Sequence, residues 1–501
     1  MTSGFRALMV TGMIIAASLL IKADDRLSSQ SAEIQLQLGR VLFDQGQYPE
    51  SLEAYRRATQ AEDSATNRQA RAGVVLAALR VADFDLARRE ADALVAIAPR
   101  DPSVLALYGD SLWASGLFDQ AEEAYRRSLG RAPELARGRH GVARSLLART
   151  RLDEAMNEAQ AALRLAPRDL EIHHTVGAIY ERMHRFEEAA AAYSNYVNLL
   201  PNKDKSEKAE WARAEIRFLR SFGQRLPYDM DPAASDEVYT IDFRLVKEKI
   251  VVRARVNGSA AQDFVVDTGA ESTVLTRPTT DRLGITPITY TLSAGVGDIG
   301  LRGLQLARID SLEIGPLKVR NVPCLVKSPP LRDIPSRETE SLSPLALGFS
   351  MEVDYKTRKL TFGRHLPQEP SDFELPLRLY RLATVRGVVG GHSVNFVVDT
   401  GGEVISISQA TASVLKSDLR RIPLKVWGTS GWDKDAFLLP GVDLAFEAIH
   451  YKNFPVVVLN LDAPSILLGF QLGGIVGAQF LKNYHVGIDL ERSVLRLKAV
   501  T

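Results

Sequence analysis

Phe264-Val265-Val266-Asp267-Thr268-Gly269 and Phe396-Val397-Val398-Asp399-Thr400-Gly401 spell the same hexapeptide, FVVDTG, 132 residues apart. Each copy is an apolar, β-branched run that reads as a buried strand. Each ends on a carboxylate, which is costly in a buried setting unless it meets partners. Asp and Gly are common turn formers, so one Asp-Thr-Gly alone would carry little weight. Here the flanks repeat too. Val256-Asn257-Gly258 and Val389-Gly390-Gly391 place a tight-turn signal before each copy. After each comes a small residue, an acidic one and a β-rich run: AESTVLT (Ala270 to Thr276) and GEVISIS (Gly402 to Ser408). Two similar halves, each offering one Asp, predict one site made from both.

These two halves resemble the retropepsin-like and pepsin-like aspartic peptidases, over residues ~239–501. The family's signature is Asp-Thr/Ser-Gly on a loop after a strand, answered later by a hydrophobic-hydrophobic-Gly segment. The second half carries that segment as Gly474-Ile475-Val476-Gly477, followed by Ala478-Gln479-Phe480-Leu481. The first half offers a looser form, Leu345-Ala346-Leu347-Gly348, which lacks the preceding glycine. Gly402 stands where Ala or Ser is usual in the family. The resemblance implies an all-β bilobal fold, with a first lobe at 238–363 and a second at 364–501.

The rest of the chain bounds the function. At 501 residues it is long enough for two to four domains. Lys+Arg 62 against Asp+Glu 61 leaves no electrostatic case for nucleic acid or an anionic membrane surface. The single cysteine, Cys324, excludes an internal disulfide framework and a cysteine-based metal site. The eight histidines lack metal-ligand spacing, so neither metal nor cofactor is expected.

Residues 1–23 read as a targeting segment. Arg6 supplies a positive start, and Ala7 to Ile21 (ALMVTGMIIAASLLI) is largely apolar, short for a membrane span. A cut near Ala23 and an uncleaved membrane anchor are both open. Either reading exports the chain to a periplasmic or extracellular location.

Between 34 and 222 the pattern is helical and periodic. Pro99, Pro133, Pro167 and Pro201 recur every 34 residues. Ala87, Ala121, Ala155 and Ala189 keep the same step, with Phe84, Phe118, Leu152 and Phe186 three residues earlier. Gly39, Gly109, Ala143 and Gly177 fill a small position twelve residues before Ser51, Ala121, Ala155 and Ala189. This resembles the tetratricopeptide repeat, a 34-residue helix-turn-helix. Small residues sit where helices cross closely, and each proline closes a second helix. Five units fit, at about 34–67, 70–103, 104–137, 138–171 and 172–205, then a capping helix from Ser206 to Phe222. Such arrays bind a protein substrate or regulator in a concave groove; the plainer reading is a spacer or a pad against the enzyme. Gly223 to Glu237, with two prolines, reads as a linker.

Within the lobes, Leu292 to Gly300 is glycine-rich between strands, and the resemblance makes it a flap with Gly295 and Gly297 at its turn. Its second-lobe counterpart is Val426 to Trp432. Trp427 and Trp432 either line a substrate cleft or pack within their own hairpin. Ser328 to Ser343 (SPPLRDIPSRETESLS) reads as an exposed loop.

By resemblance, Asp267 and Asp399 are the catalytic pair. Gly269 and Gly401 let backbone approach the carboxylates, and Thr268 and Thr400 bond across the lobes. Two carboxyls about 3 Å apart share a proton, which suits them to activate water and protonate a peptide carbonyl without metal or covalent intermediate. With both lobes in one chain, a monomer can complete the site; same-lobe pairing between two molecules is the alternative. The reading is an exported aspartic endopeptidase acting on a peptide or protein substrate. The competing class is a non-catalytic peptide-binding scaffold with the same fold.

Overall fold

The computed structural model describes residues 30–204, 206–231, 234, 236–297, 302–327, 340–415, 420–428 and 430–500. The targeting segment expected at 1–23 lies outside them, as do Asp298 to Gly300 of the first flap, 328–339 of the polar loop, and Thr429.

The N-terminal part is helical: α1 (30–44), α2 (Tyr48–Ala58), α3 (Ser64–Arg80), α4 (Phe84–Ile97), α5 (Pro102–Ala114), α6 (Phe118–Leu129), α7 (Ala136–Ala148), α8 (Leu152–Leu165), α9 (Leu170–Arg182), α10 (Phe186–Leu199) and α11 (Glu207–Arg220). Helices α4, α6, α8 and α10 each stop two to four residues short of the periodic proline, because proline and the residue before it resist helical geometry. Asp63, Asp169 and Ser206 start α3, α9 and α11 by accepting first-turn amides. The small positions are close helix crossings. A Cβ on Gly39 would lie 2.6 Å from the Tyr55 ring, and one on Gly177 2.6 Å from Tyr193.

The described chain forms two compact units, one ending at Ser111 and one beginning at Leu112. The first is built on a core that includes Leu36, Val74, Val75, Leu86 and Leu94. The second holds the remaining helices together with all the strands. The division therefore falls within the repeats and not at the expected linker. The segment read as a linker is tied down: Tyr228 N donates to Asn321 O (3.3 Å), and Arg320 Nε donates to Asp229 Oδ2 (2.8 Å).

The first lobe contributes β1 (Tyr239–Asp242), β2 (Arg244–Val246), β3 (Lys249–Val256), β4 (Gln262–Val266), β5 (Thr273–Thr276), β6 (Thr289–Ser293), β7 (Arg302–Ile314), β8 (Leu317–Lys327), β9 (Glu340–Leu342), β10 (Ser350–Asp354) and β11 (Lys359–Gly363). The second contributes β12 (Phe373–Tyr380), β13 (Leu382–Val389), β14 (His392–Val398), β15 (Ile405–Ser408), β16 (Ile422–Pro423), β17 (Val426–Gly428), β18 (Gly431–Asp433), β19 (Phe437–Phe446), β20 (Ile449–Leu459), β21 (Gly474–Val476), β22 (Tyr484–Asp489) and β23 (Val494–Ala499). An eight-stranded sheet, β2-β3-β4-β9-β5-β8-β7-β6, closes through β3–β7. Its counterpart β13-β14-β21-β15-β20-β19 closes through β13–β19. Between them, β1-β11-β10-β22-β23-β12 makes one shared sheet with β10 against β22 at its middle. One apolar core runs through both lobes, with Phe264, Phe349, Phe396 and Phe446 fully buried.

The structure corrects one expectation. The first lobe's counterpart of Gly474–Val476 is Glu340–Leu342 and not Leu345–Leu347. Strand β4 pairs in parallel with β9, Val266 opposite Leu342, as β14 pairs with β21, Val398 opposite Val476. Residues 340–342 are therefore buried strand, with Ser343 buried beyond it, not exposed loop. The polar sequence Glu-Ser-Leu-Ser concealed it. Glu340, only 8% exposed, is satisfied locally: its carboxylate accepts from Thr276 N (2.6 Å), Thr276 Oγ1 (2.9 Å) and Thr279 Oγ1. Pro344–Leu347 is instead a single 3₁₀ turn following the strand.

Overpacking a close crossing costs about 1–3 kcal/mol. Gly177→Val is expected to lower stability by that amount in urea denaturation, because the buried Tyr193 ring has no room to retreat.

Candidate active site

Strands β4 and β14 are buried runs that stop at Asp267 and Asp399. Strands β9 and β21 catch the Asp backbone: Asp267 N donates to Leu342 O (2.9 Å), and Asp399 N to Val476 O (3.0 Å). The next residues cross between lobes. Thr268 Oγ1 donates to Val398 O (2.6 Å) and Thr400 Oγ1 to Val266 O (2.7 Å). In return, Thr268 N donates to Thr400 Oγ1 and Thr400 N to Thr268 Oγ1, both at 3.1 Å. Both threonines are buried.

This grip sets the two carboxyls against one another. A Cβ on Gly269 would lie 2.6 Å from Asp399 Cγ, and one on Gly401 2.8 Å from Asp267 Cγ. Each glycine of one lobe therefore makes room for the carboxyl of the other. Gly269 N donates to Asp267 Oδ1 (3.0 Å). Asp399 Oδ1 accepts twice, from Gly401 N (2.8 Å) and Gly402 N (2.9 Å). A Cβ at 402 would come within 2.9 Å of Asp399 Oδ2, so this glycine too lies close against the carboxyl. Burial first, and then the neighbouring Asp267 charge, push the Asp399 carboxyl up to about 7. The pair titrates as a unit, so one proton is shared between the two aspartates below that pH.

The two flap segments meet. Ser430 N donates to Val296 O (2.9 Å), and Gly295 N donates to Ser430 Oγ (3.0 Å). Gly297, at φ +133°, lies hard against Ser430 O, and Gly428 against Val296 O, so neither has space for a side chain. Trp427 and Trp432 are not at this junction. They pair across β17–β18 with rings 5.1 Å apart, edge to face, and stay 41% and 44% exposed.

Three features escaped sequence reasoning. Ser430, fully buried, is the side chain that joins the flaps. Strand β9 supports Asp267. Arg381, at the β12–β13 turn, bridges the lobes by pairing with Glu271 Oε2 (2.7 Å) and donating to Leu467 O (3.0 Å). Glu271 is the acidic residue of the doubled motif, which was the one available signal that it would find a cation.

Two family models match the chain. Residues 252–350 and 385–479 match the aspartyl protease family model, and residues 17–73 and 75–136 match the tetratricopeptide repeat model. No curated protein matches the chain. Solved structures similar to it include a thermophilic tetratricopeptide-repeat protein of Thermus thermophilus, at 19% identity over 37% of this chain and 99% of that one, TM-score 0.32. MamA of Desulfovibrio magneticus is 16% identical over 35% and 98%, TM-score 0.25. Pseudomonas aeruginosa pilF is 16% identical over 39% and 94%, TM-score 0.28.

Two stability outcomes follow from the geometry. Thr400→Val removes a buried donor and acceptor and strands Val266 O and Thr268 N. It is expected to cost about 2–4 kcal/mol in urea or thermal denaturation. Asp399→Asn should act in the opposite sense. The folded carboxyl keeps its proton up to about 7, whereas an unfolded aspartate releases it near 3.8, so the folded state binds more protons in between. Wild-type stability therefore falls as pH rises through that window. The asparagine variant should gain on the order of 1–3 kcal/mol over wild type at pH 7.5 and nothing at pH 3.5, read from paired thermal melts.

Proposed function

We propose that this chain, in which two aspartyl-protease domains follow tetratricopeptide repeats, is an exported aspartic endopeptidase. The observation that carries the reading is the contact between the Asp267 and Asp399 carboxyls, held by reciprocal threonine bonds and walled by glycine. With one shared proton, the ionised carboxylate takes a proton from a water lodged between the two. The protonated one donates to the scissile carbonyl oxygen. A tetrahedral diol forms, and return of the protons releases the amine. The joined flaps would exclude bulk water during the reaction if they close over the pair. Arg6 and the apolar run from Ala7 to Ile21 support export to the periplasm or outside the cell, with the same segment serving as anchor if it is retained. Recruitment of a protein substrate or regulator we assign to the repeats before Leu112, since the later helices contact the lobes themselves.

The test incubates the purified protein with a denatured protein mixture from about pH 3 to 8, a range spanning titration of the pair, with and without pepstatin. Asp267→Asn and Asp399→Asn should each lower cleavage about 10²–10⁴-fold. Wild-type activity should fade above pH 7, where the shared proton is lost. A folded wild type that cuts nothing across this range would sink the catalytic reading. Loss in one variant only would replace the single-chain pair with same-lobe pairing between molecules.

A further inference from the structure

The helices from Leu112 onward touch both lobes. At their start they hold the second lobe. Gln471 N donates to Ala114 O (2.8 Å), Trp113 packs edge-on against Tyr380 (5.0 Å), and Phe118 against Phe470 (5.0 Å). Asp119 pairs with Arg378, which is 9% exposed. Further along, Arg149 O accepts from Ser493 Oγ (2.7 Å), and Arg182 Nη1 donates to Leu379 O (3.3 Å).

At their end the same helices hold the first lobe. Phe186, Phe218 and Phe222 share one apolar cluster with Leu306 of β7 and Leu325 of β8. Arg308 stacks over Phe222 (5.5 Å) and donates to Ser221 O (3.3 Å). Helix α11 reaches the flap strand itself, where Arg217 Nη2 donates to Thr289 Oγ1 (3.2 Å). Strand β6 is thus an edge strand, bonded to β7 on one side and packed against α11. Its continuation, through Gly295 and Val296, is the first flap.

The second flap is built differently. Strands β17 and β18 pair with each other as a separate two-stranded ribbon. The base of the ribbon is pinned at Asp433, whose carboxylate accepts from Asn460 N (2.8 Å) and Asp435 N (3.1 Å). Its two tryptophans stay exposed. Its buried positions are few, Ser430, Gly431 and Asp433, and a ribbon of only two strands has little stability of its own.

We propose that the repeats position the catalytic cleft asymmetrically: α11 fixes the first-lobe flap strand, and opening for substrate occurs by movement of the β17–β18 ribbon about Asp433. Opening breaks the Val296–Ser430 and Gly295–Ser430 bonds and leaves β6 in place. The repeats then act on the reaction by holding one jaw still, a role that recruitment of a partner would not supply. The consequence for catalysis rests on the peptidase reading; the asymmetry itself does not.

Hydrogen exchange on the full-length protein tests it. In wild type, amides of 426–428 and 431–433 should exchange at least about tenfold faster than those of 289–293, since local opening follows the stability of each unit. Arg217→Ala, at an exposed position of α11, should raise exchange in 289–293 severalfold and leave the ribbon unchanged. Equal exchange of the two flap strands in wild type would overturn the proposal, whatever the variant does. So would an Arg217→Ala protein whose β6 exchange matches wild type. Peptide hydrolysis is assayed on the same samples. Its absence in wild type would remove the peptidase reading, while the exchange contrast would still decide which flap moves.

Discussion

Two carboxyls can be forced together in a protein interior only if something else holds the chains that carry them. Here that is the reciprocal bonding of Thr268 and Thr400. Each hydroxyl donates into the opposite lobe's strand and accepts an amide from the opposite loop. Four buried bonds of this kind contribute about 1 kcal/mol each, and leaving any one unmade costs more than it contributes. Serine would keep the donor and the acceptor, but threonine also fills the space with its methyl. The shared sheet centred on β10 and β22 extends the same register away from the site. The repulsion in the dyad is thus borne by a frame much larger than the dyad.

Identical hexapeptides nevertheless sit in unlike surroundings. Asp399 accepts two amides and Asp267 one. The strand that supports Asp399 begins at Gly474, where a Cβ would press 2.5 Å from the Phe396 ring. In the first lobe the equivalent residue is Glu340, which turns its carboxylate onto Thr276 and Thr279 and pins the strand to the short helix Arg277–Leu283. One lobe is braced by close backbone packing and the other by a satisfied buried charge. Extra amides on Asp399 favour its ionised form, while burial and Asp267 oppose it. The balance makes the proton a property of the pair, and the sequence repeat does not make the pair electrically symmetric.

What could be read from the chain and what could not divide along physical lines. The doubled Asp-Thr-Gly was legible because a carboxylate after a β-branched run needs a reason. The helices were legible because proline spacing and small residues report crossings locally. Strand β9 was not, since alternating polar residues in Glu340–Ser343 look like loop until their partners are known. Ser430 was hidden for the same reason: a serine beside glycines signals a turn, and only the opposing flap shows what it binds. Docking of the repeats onto the lobes was open as a reading, but the residues that make it could not be told apart in the sequence. Trp113, Phe118 and Phe222 occupy positions that pack repeat against repeat as well, and an apolar residue does not announce which neighbour it serves.

That docking has apolar and ion-paired ends and a charged middle. Between them lie Glu181, which accepts from Tyr193 Oη (2.9 Å), and Glu215, pushed up to about 8 by burial and by Glu181. Arg182 is drawn down to about 10 by burial. Burial works against the Arg381 cation as well, but Glu271 outweighs it. At neutral pH Glu215 is therefore largely protonated and adds no charge, while Arg381 stays paired with the first-lobe loop that carries Asp267. A charged interior contributes little net stability, because desolvation offsets the attraction. The grip on the lobes must then come from the apolar clusters at Phe118–Phe470 and at Phe218–Leu306. The middle instead fixes direction: Arg381 can satisfy Glu271 and Leu467 O together only when the two lobes stand in one relation. Hydrophobic ends supply the adhesion and the polar centre supplies the register, which is the division of labour a two-lobed site requires.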